Sequence, residues 1–306
     1  MLMEFDQEHY SRSDEVVTRA SKGARNLCYA RSPVVPCDWA GAAVSNWKET
    51  IRRGSGNQPR IAPNYGVALP ARRIGWLRNY FYFFMSLLIG GVIVYGFHFT
   101  VNQNLIHPTI PRPFILYVHA AFFSTWVLFY IFQSALVRTR NVRVHRQIGW
   151  FGVGLGATMP VLGVATAIAM GRFDTLQLHT ADAASSLIVP LFDMGCFTTT
   201  FALAIYWRQK PELHRRLLLV ATCALTAAAF GRFPANLLPP ILFYAGVDAL
   251  ILLGVARDFI VNRRIHRVYL YALPLFTAGQ TIVTYVAWHN VPYWMKIARA
   301  LLGQSA

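Results

Sequence analysis

The chain has 306 residues, of which 55% are hydrophobic and only 14% charged, with 29 Lys and Arg against 13 Asp and Glu. A water-soluble domain carries about 25% charged residues, so the composition excludes an ordinary soluble globule and points to lipid. The formal charge of +16 would suggest nucleic acid in a soluble protein. Here the bases sit in short clusters between apolar runs, which is the distribution of membrane-topology signals, so no nucleic-acid partner is expected.

Residues 1–75 are polar, with no sustained hydrophobic period, and hold seven of the acidic residues (Glu4, Asp6, Glu8, Asp14, Glu15, Asp38 and Glu49). They are expected to form a largely disordered basic cytoplasmic tail, with short helices over 16–22 and 42–52 and no secretory signal. After Arg72, Arg73 and Arg78, apolar runs of bilayer length recur to the end of the chain. A span needs about 20 such residues. The expected spans are 79–98, 113–136, 148–170, 184–206, 216–237, 240–258 and 268–289. A seven-helix domain over 76–292 and a short outer segment over 293–306 follow. The fold class is therefore all-α, a polytopic membrane helix bundle.

The loops alternate in charge. One set holds Arg138, Arg140, Arg143 and Arg146, then Arg208, Lys210, Arg215 and Arg216, then Arg257, Arg263, Arg264 and Arg267. The other holds only Arg112, Arg172, Arg232, Lys296 and Arg299. Short loops rich in Lys and Arg stay in the cytoplasm. That places the N-terminus inside and, after seven spans, the C-terminus outside.

Helix 2 carries His119, Trp126 and Gln133 at seven-residue steps, and helix 4 repeats the step with Ser186, Asp193 and Thr200. Two turns bring such residues onto one stripe, which should face the bundle because lipid offers no hydrogen bonds. Asp248 lies in helix 6, Gln280 with Thr277, Thr281 and Thr284 in helix 7, and Arg232 near the end of helix 5. At about 1.5 Å of rise per residue, His119, Asp193, Arg232, Asp248 and Gln280 share the outer half of the membrane. Ionisable groups there are costly and mark function or mutual pairing. Two readings stand: an Arg232–Asp248 pair locking helix 5 to helix 6, or an outward-opening polar pocket for a ligand, proton or metal, with Trp126 alongside.

Each basic loop enters the next helix through a His-Arg pair: His145-Arg146, His214-Arg215 and His266-Arg267. Imidazole ligates haem iron and arginine pairs with propionates, so His145, Arg146, His214 and His266 are candidate haem-binding residues, with interface anchoring as the alternative. His98, His107, His179 and His289, with Asp174 and Asp182, lie near the outer ends without a metal-binding spacing. Cys28, Cys37, Cys196 and Cys223 form no CxxC pair and read as isolated thiols. Helix 3 has Gly149, Gly152, Gly154, Gly156 and Gly163, expected to admit close helix packing inside the bundle. Helix 7 has no central lysine for a retinal Schiff base.

The stretch from His119 through Trp126 to Gln133, followed by Leu136-Val137 and His145-Arg146-Gln-Ile-Gly149-Trp150, resembles an uncharacterised family of bacterial inner-membrane proteins with about seven transmembrane helices. The resemblance covers residues 79–290. It implies a multi-pass location in the bacterial inner (plasma) membrane and no particular activity. The arrangement is distantly similar to transmembrane b-type cytochromes, although only His119 lies well inside a span. It is also similar in orientation to the seven-helix zinc hydrolases related to adiponectin receptors, without their paired histidines on the last helix. Three functions remain open: a polar-pocket protein, a haem-binding redox protein, and a structural or assembly subunit. The partners these readings allow are the lipid bilayer, a small-molecule ligand, and an oligomer or complex partner.

Overall fold

The computed structural model describes residues 71–180 and 183–304, with side chains from Gly75 onward. The expected tail and its two short helices, Cys28, Cys37 and Asp182 lie outside the described residues. Among the described residues every regular element is helical. Seven helices are long and apolar enough to cross a membrane, in agreement with the hydrophobic runs.

We label the long helices α1 (Ala71–Val101), α2 (Phe114–Arg138), α3 (Val142–Leu176), α4 (Ile188–Tyr206), α5 (Pro211–Ala224), α6 (Phe243–Asn262), α7 (Arg267–Trp288) and α8 (Pro292–Leu302). Short turns extend three of them: Asn102–Ile106 after α1, Ala183–Ser186 before α4 and Ala227–Phe230 after α5. The span containing α5 starts at Pro211, where the ring suits the first helical turn, and ends at Phe230. It therefore begins earlier and stops earlier than the expected 216–237. The chain downstream holds Pro234, Pro239 and Pro240, which cannot continue an α-helix.

Pairwise contacts set the topology. Phe123 packs at Gly163 and Phe129 at Gly152, so α2 and α3 run antiparallel; Phe201 at Gly156 and Met194 at Gly163 do the same for α3 and α4. Tyr269 at Gly254 orders α6 against α7. The bundle thus has a basic end, carrying the loops near residues 139–141, 207–210 and 263–266, and an opposite end. The span around α5 has 61% of its most apolar window buried, against 11–33% for the others, so α5 is the central helix. Val94, Leu128, Val161 and Leu275 point outward, each about 70% exposed. A soluble protein would bury such residues, whereas lipid covers them at no cost.

The helices meet in an apolar belt of Trp126, Leu155, Met159, Met194, Phe197, Phe201, Ala221 and Leu225, beside a larger cluster around Ile89, Val220, Val247 and Ile251. At the opposite end α8, which was expected only as a segment, folds back. Ala298 and Leu302 join Ala184 and Leu187, Trp294 Nε1 donates to Ser185 O at 3.1 Å, and Arg172 donates to Leu301 O. Arg112 links two further pieces of this end through Asn104 (2.9 Å) and Asp174 (3.7 Å).

A close backbone approach joins α1 to the turn after α5. A Cβ placed on Gly96 would strike the Ala229 backbone, while one on Gly91 meets nothing within 4 Å. Backbone cannot swing aside as a side chain can. Gly96→Val is expected to cost about 2–3 kcal/mol and to lower the melting temperature of the purified protein. Gly91→Ala is expected to leave it unchanged or slightly raised.

Candidate functional site

At the opposite end the structure brings together part of the set expected from sequence. Asp193 on α4 is buried at 8% exposure and accepts a hydrogen bond of 2.9 Å from the Tyr244 hydroxyl of α6. One helical turn on from Tyr244, Asp248 accepts from Thr277 of α7 at 3.4 Å and lies beside the buried Gln280. Two carboxylates on neighbouring helices are therefore linked to neutral donors. Neither forms an ion pair with a described cation. Tyr244 is the member that sequence reasoning missed. Its signal was present, four residues before Asp248, where an α-helix places both on one face.

His119, Trp126 and Arg232 stand apart from that pair. His119 stacks on Phe123 at 4.0 Å between ring centres, and its buried Nδ1 has no hydrogen-bond partner among the described residues. Arg232 lies near enough to His119 to interact with it electrostatically. It donates to Ala228 O, and its guanidinium carbon lies 4.4 Å from the Phe97 ring centre.

 Arg232 forms no ion pair with Asp248, so that expected lock between helices 5 and 6 is absent. The reason is the early end of the α5 span at Phe230, which puts Arg232 in the following turn rather than inside a helix. Trp126, 3% exposed, sits edge-on against Phe197 and Phe201 in the apolar belt. A cavity of about 290 Å³ at this end is lined by Thr175, His179, Thr180, Met295 and Arg299 among others, and by none of the expected site residues. No group of three or more His, Cys, Asp or Glu among the described residues could hold a metal ion.

At the basic end the expected histidines divide. His145 and His214 are close enough to interact electrostatically. His214 Nδ1 is 2.8 Å from Ala204 O, and His145 Nδ1 is buried without a partner among the described residues. His266 instead caps α7, accepting from Val268 N at 3.2 Å, and burial together with nearby Arg216 holds its imidazole below the usual range. Arg146 is exposed.

The most heavily bonded cluster among the described residues is here, and sequence reasoning had counted its arginines only as topology signals. Arg216 of α5, 1% exposed, grips Asp258 of α6, 0% exposed, through Nε at 2.7 Å and Nη2 at 2.9 Å. Arg257 adds a bond of 2.8 Å to the same carboxylate, and Asn262 one of 3.2 Å. Glu212 reaches Arg215 and Arg216, each at 2.5 Å. The signal available was an acid, Asp258, at the end of an apolar run and directly after Arg257.

Comparison with family models, with curated proteins and with solved structures finds no match to this chain.

Removing one partner of a buried pair strands the other charge, typically at about 3–5 kcal/mol. Asp258→Asn is therefore expected to lower the melting temperature far more than Glu212→Gln, whose carboxylate is 60% exposed. Thermal unfolding of the purified variants side by side checks the order.

Proposed function

We propose that this chain is a seven-span protein of the bacterial inner membrane, with its basic end in the cytoplasm, whose outer half binds a proton or small polar ligand at Asp193 and Asp248. The observation that carries the reading is Asp193. It is a buried carboxylate in a lipid-length helix, with a phenol as its hydrogen-bond partner and no described cation beside it. An unpaired carboxylate in such a place is costly while ionised, and a retained cost of that kind points to use. Tyr244, Thr277 and Gln280 supply neutral hydrogen bonds that serve either protonation state. His119 and Arg232 form the polar flank. The charge asymmetry of the loops supports the orientation, and the apolar outer face supports the bilayer as partner.

The test is infrared difference spectroscopy on the protein in lipid, stepping the pH. Wild-type protein is expected to show protonated-carboxyl bands that respond to pH, one lost in Asp193→Asn and another in Asp248→Asn. Spectra in which neither substitution changes such a band would sink the proposal.

A second reading rests on His145 and His214. Their proximity, with His214 Nδ1 turned to a backbone carbonyl and its Nε2 left free, is the orientation a metal-ligating histidine adopts. Haem held there would give the purified protein a Soret band after expression with haem supplied, and His214→Ala would abolish it. Protein that lacks the band under those conditions rules this reading out.

A further inference from the structure

The two sides of the basic end differ in how their charges are met. On the side of α5 and α6, Glu212 and Asp258 hold Arg215, Arg216 and Arg257. On the side of α1, α2 and the start of α3 stand Arg78, Arg138, Arg140, Arg143 and Arg146, and the sequence has no Asp or Glu between Glu49 and Asp174. None of these five arginines forms an ion pair with a described residue. A base that only sets topology can hang free in its loop. Arg138 does not.

Arg138 is the last residue of α2, and its guanidinium carbon lies 3.6 Å from the centre of the Tyr80 ring of α1. Tyr80 belongs to an aromatic row with Trp76 and Phe84, their ring centres 5.1–6.3 Å apart along one face of α1. Trp76 is 48% and Phe84 44% exposed, so the row is turned to lipid. Nε of Arg138 is shut in without a partner, but its two Nη groups are open and make no hydrogen bond with a described residue. Held against the ring, the guanidinium has little mobility left to lose when an acceptor takes that free edge. Arg78, two residues before Tyr80, and Arg140, two after Arg138, are exposed and add positive charge at the same end of the bundle.

We propose that Arg138, seated on Tyr80, binds the phosphate of an anionic phospholipid through its Nη groups, with the lipid's acyl chains lying along the Trp76–Tyr80–Phe84 row. Arginine pairs with phosphate through parallel N–H bonds, and Nη1 and Nη2 supply them. Headgroup and hydrocarbon meet at the depth where a terminal arginine of one span adjoins an aromatic row running into the bilayer. A free phosphate would take the arginine and leave the apolar row unused. A zwitterionic lipid would cover the row but bring a cation of its own among five uncompensated arginines. An anionic lipid meets both demands, and basic residues near the surface attract it further. The site requires only that the chain spans a bilayer, and it stands or falls apart from Asp193 and Asp248.

The experiment is native mass spectrometry of the purified full chain in nonionic detergent, titrated with dioctanoyl phosphatidylglycerol, dioctanoyl phosphatidylcholine or inorganic phosphate. Phosphatidylglycerol is expected to add one molecule at a concentration about tenfold below that needed for phosphatidylcholine, and phosphate alone to add none. Arg138→Gln, which breaks no hydrogen bond to a described residue, is expected to raise the half-saturating phosphatidylglycerol concentration about tenfold. Tyr80→Leu, which removes the ring under the guanidinium, is expected to act in the same direction, and Tyr80→Phe to leave binding unchanged. Arg264→Gln removes the same charge from the exposed loop between α6 and α7 and is expected to shift binding less than about twofold. Equal binding of the two lipids overturns the proposal, because apolar adsorption then explains both. Phosphate binding as tightly as the lipid overturns it in favour of a free anion. Equal losses in Arg138→Gln and Arg264→Gln overturn it as well, since the whole basic end then acts as a diffuse charge. So does phosphatidylglycerol binding that neither Arg138→Gln nor Tyr80→Leu weakens, because the lipid then sits elsewhere.

Discussion

Hydrocarbon offers no hydrogen bonds, so every polar group carried into the bundle must find a partner within it. The two-point grip of Arg216 on Asp258 is where that constraint is met most fully. Both residues are almost completely enclosed. Both oxygens of the carboxylate are bonded, and Arg257 and Asn262 complete the set. The pair does not make the bundle stable in the way apolar packing would, since burying two charges consumes most of what their attraction returns. Its effect is on register. Arg216 near the start of α5 can meet Asp258 near the end of α6 in one alignment of those antiparallel helices, and α5 is the helix around which the others gather.

With that end fixed, polarity is layered along the bundle. The basic end holds the ion cluster with Tyr269, His145 and His214. Then comes the apolar belt, in which Phe197 and Phe201 follow Asp193 by one and two turns of α4. The polar residues at this level, Thr200 and Thr222, turn their hydroxyls back onto carbonyls of their own helices, as hydroxyls in helices commonly do. Beyond the belt lies the Asp193–Tyr244 and Asp248–Thr277 layer. The two polar layers differ in chemistry: charges paired with charges at one end, carboxylates bonded to neutral groups at the other. Pairing of the first kind fixes a structure, whereas the second kind leaves a protonation equilibrium open.

The number and order of the spans were legible because each is an apolar run of bilayer length, and such runs have few other uses. The layer at Asp193 and Asp248 was legible for a related reason: an acid inside such a run is conspicuous. Three features were not. Tyr244 passes for an ordinary aromatic until α6 and α4 are seen side by side. Arg216, Arg257 and Asp258 lie at span margins, where sequence reading assigns charges to the loops, yet the helices extend past those margins and carry the charges inward. Arg232 errs in the opposite direction. Its apolar surroundings suggested a helical interior, but the prolines downstream end the helix before it.

The belt also decides which side can serve each polar layer. Trp126, Phe197 and Phe201 meet edge to face or stacked, with Met159 at 0% and Leu155 at 7% exposure closing the gaps. Aromatic side chains interlocked in this way move only together, and an apolar gap of two helical turns is no route for a proton or an ion. On the proposed reading, exchange at Asp193 and Asp248 takes place from the opposite end, past His119, Arg232 and the turns that α8 packs against. The seven helices thus hold two chemically distinct polar layers, and the same packing that joins the helices into one bundle separates one layer from the other.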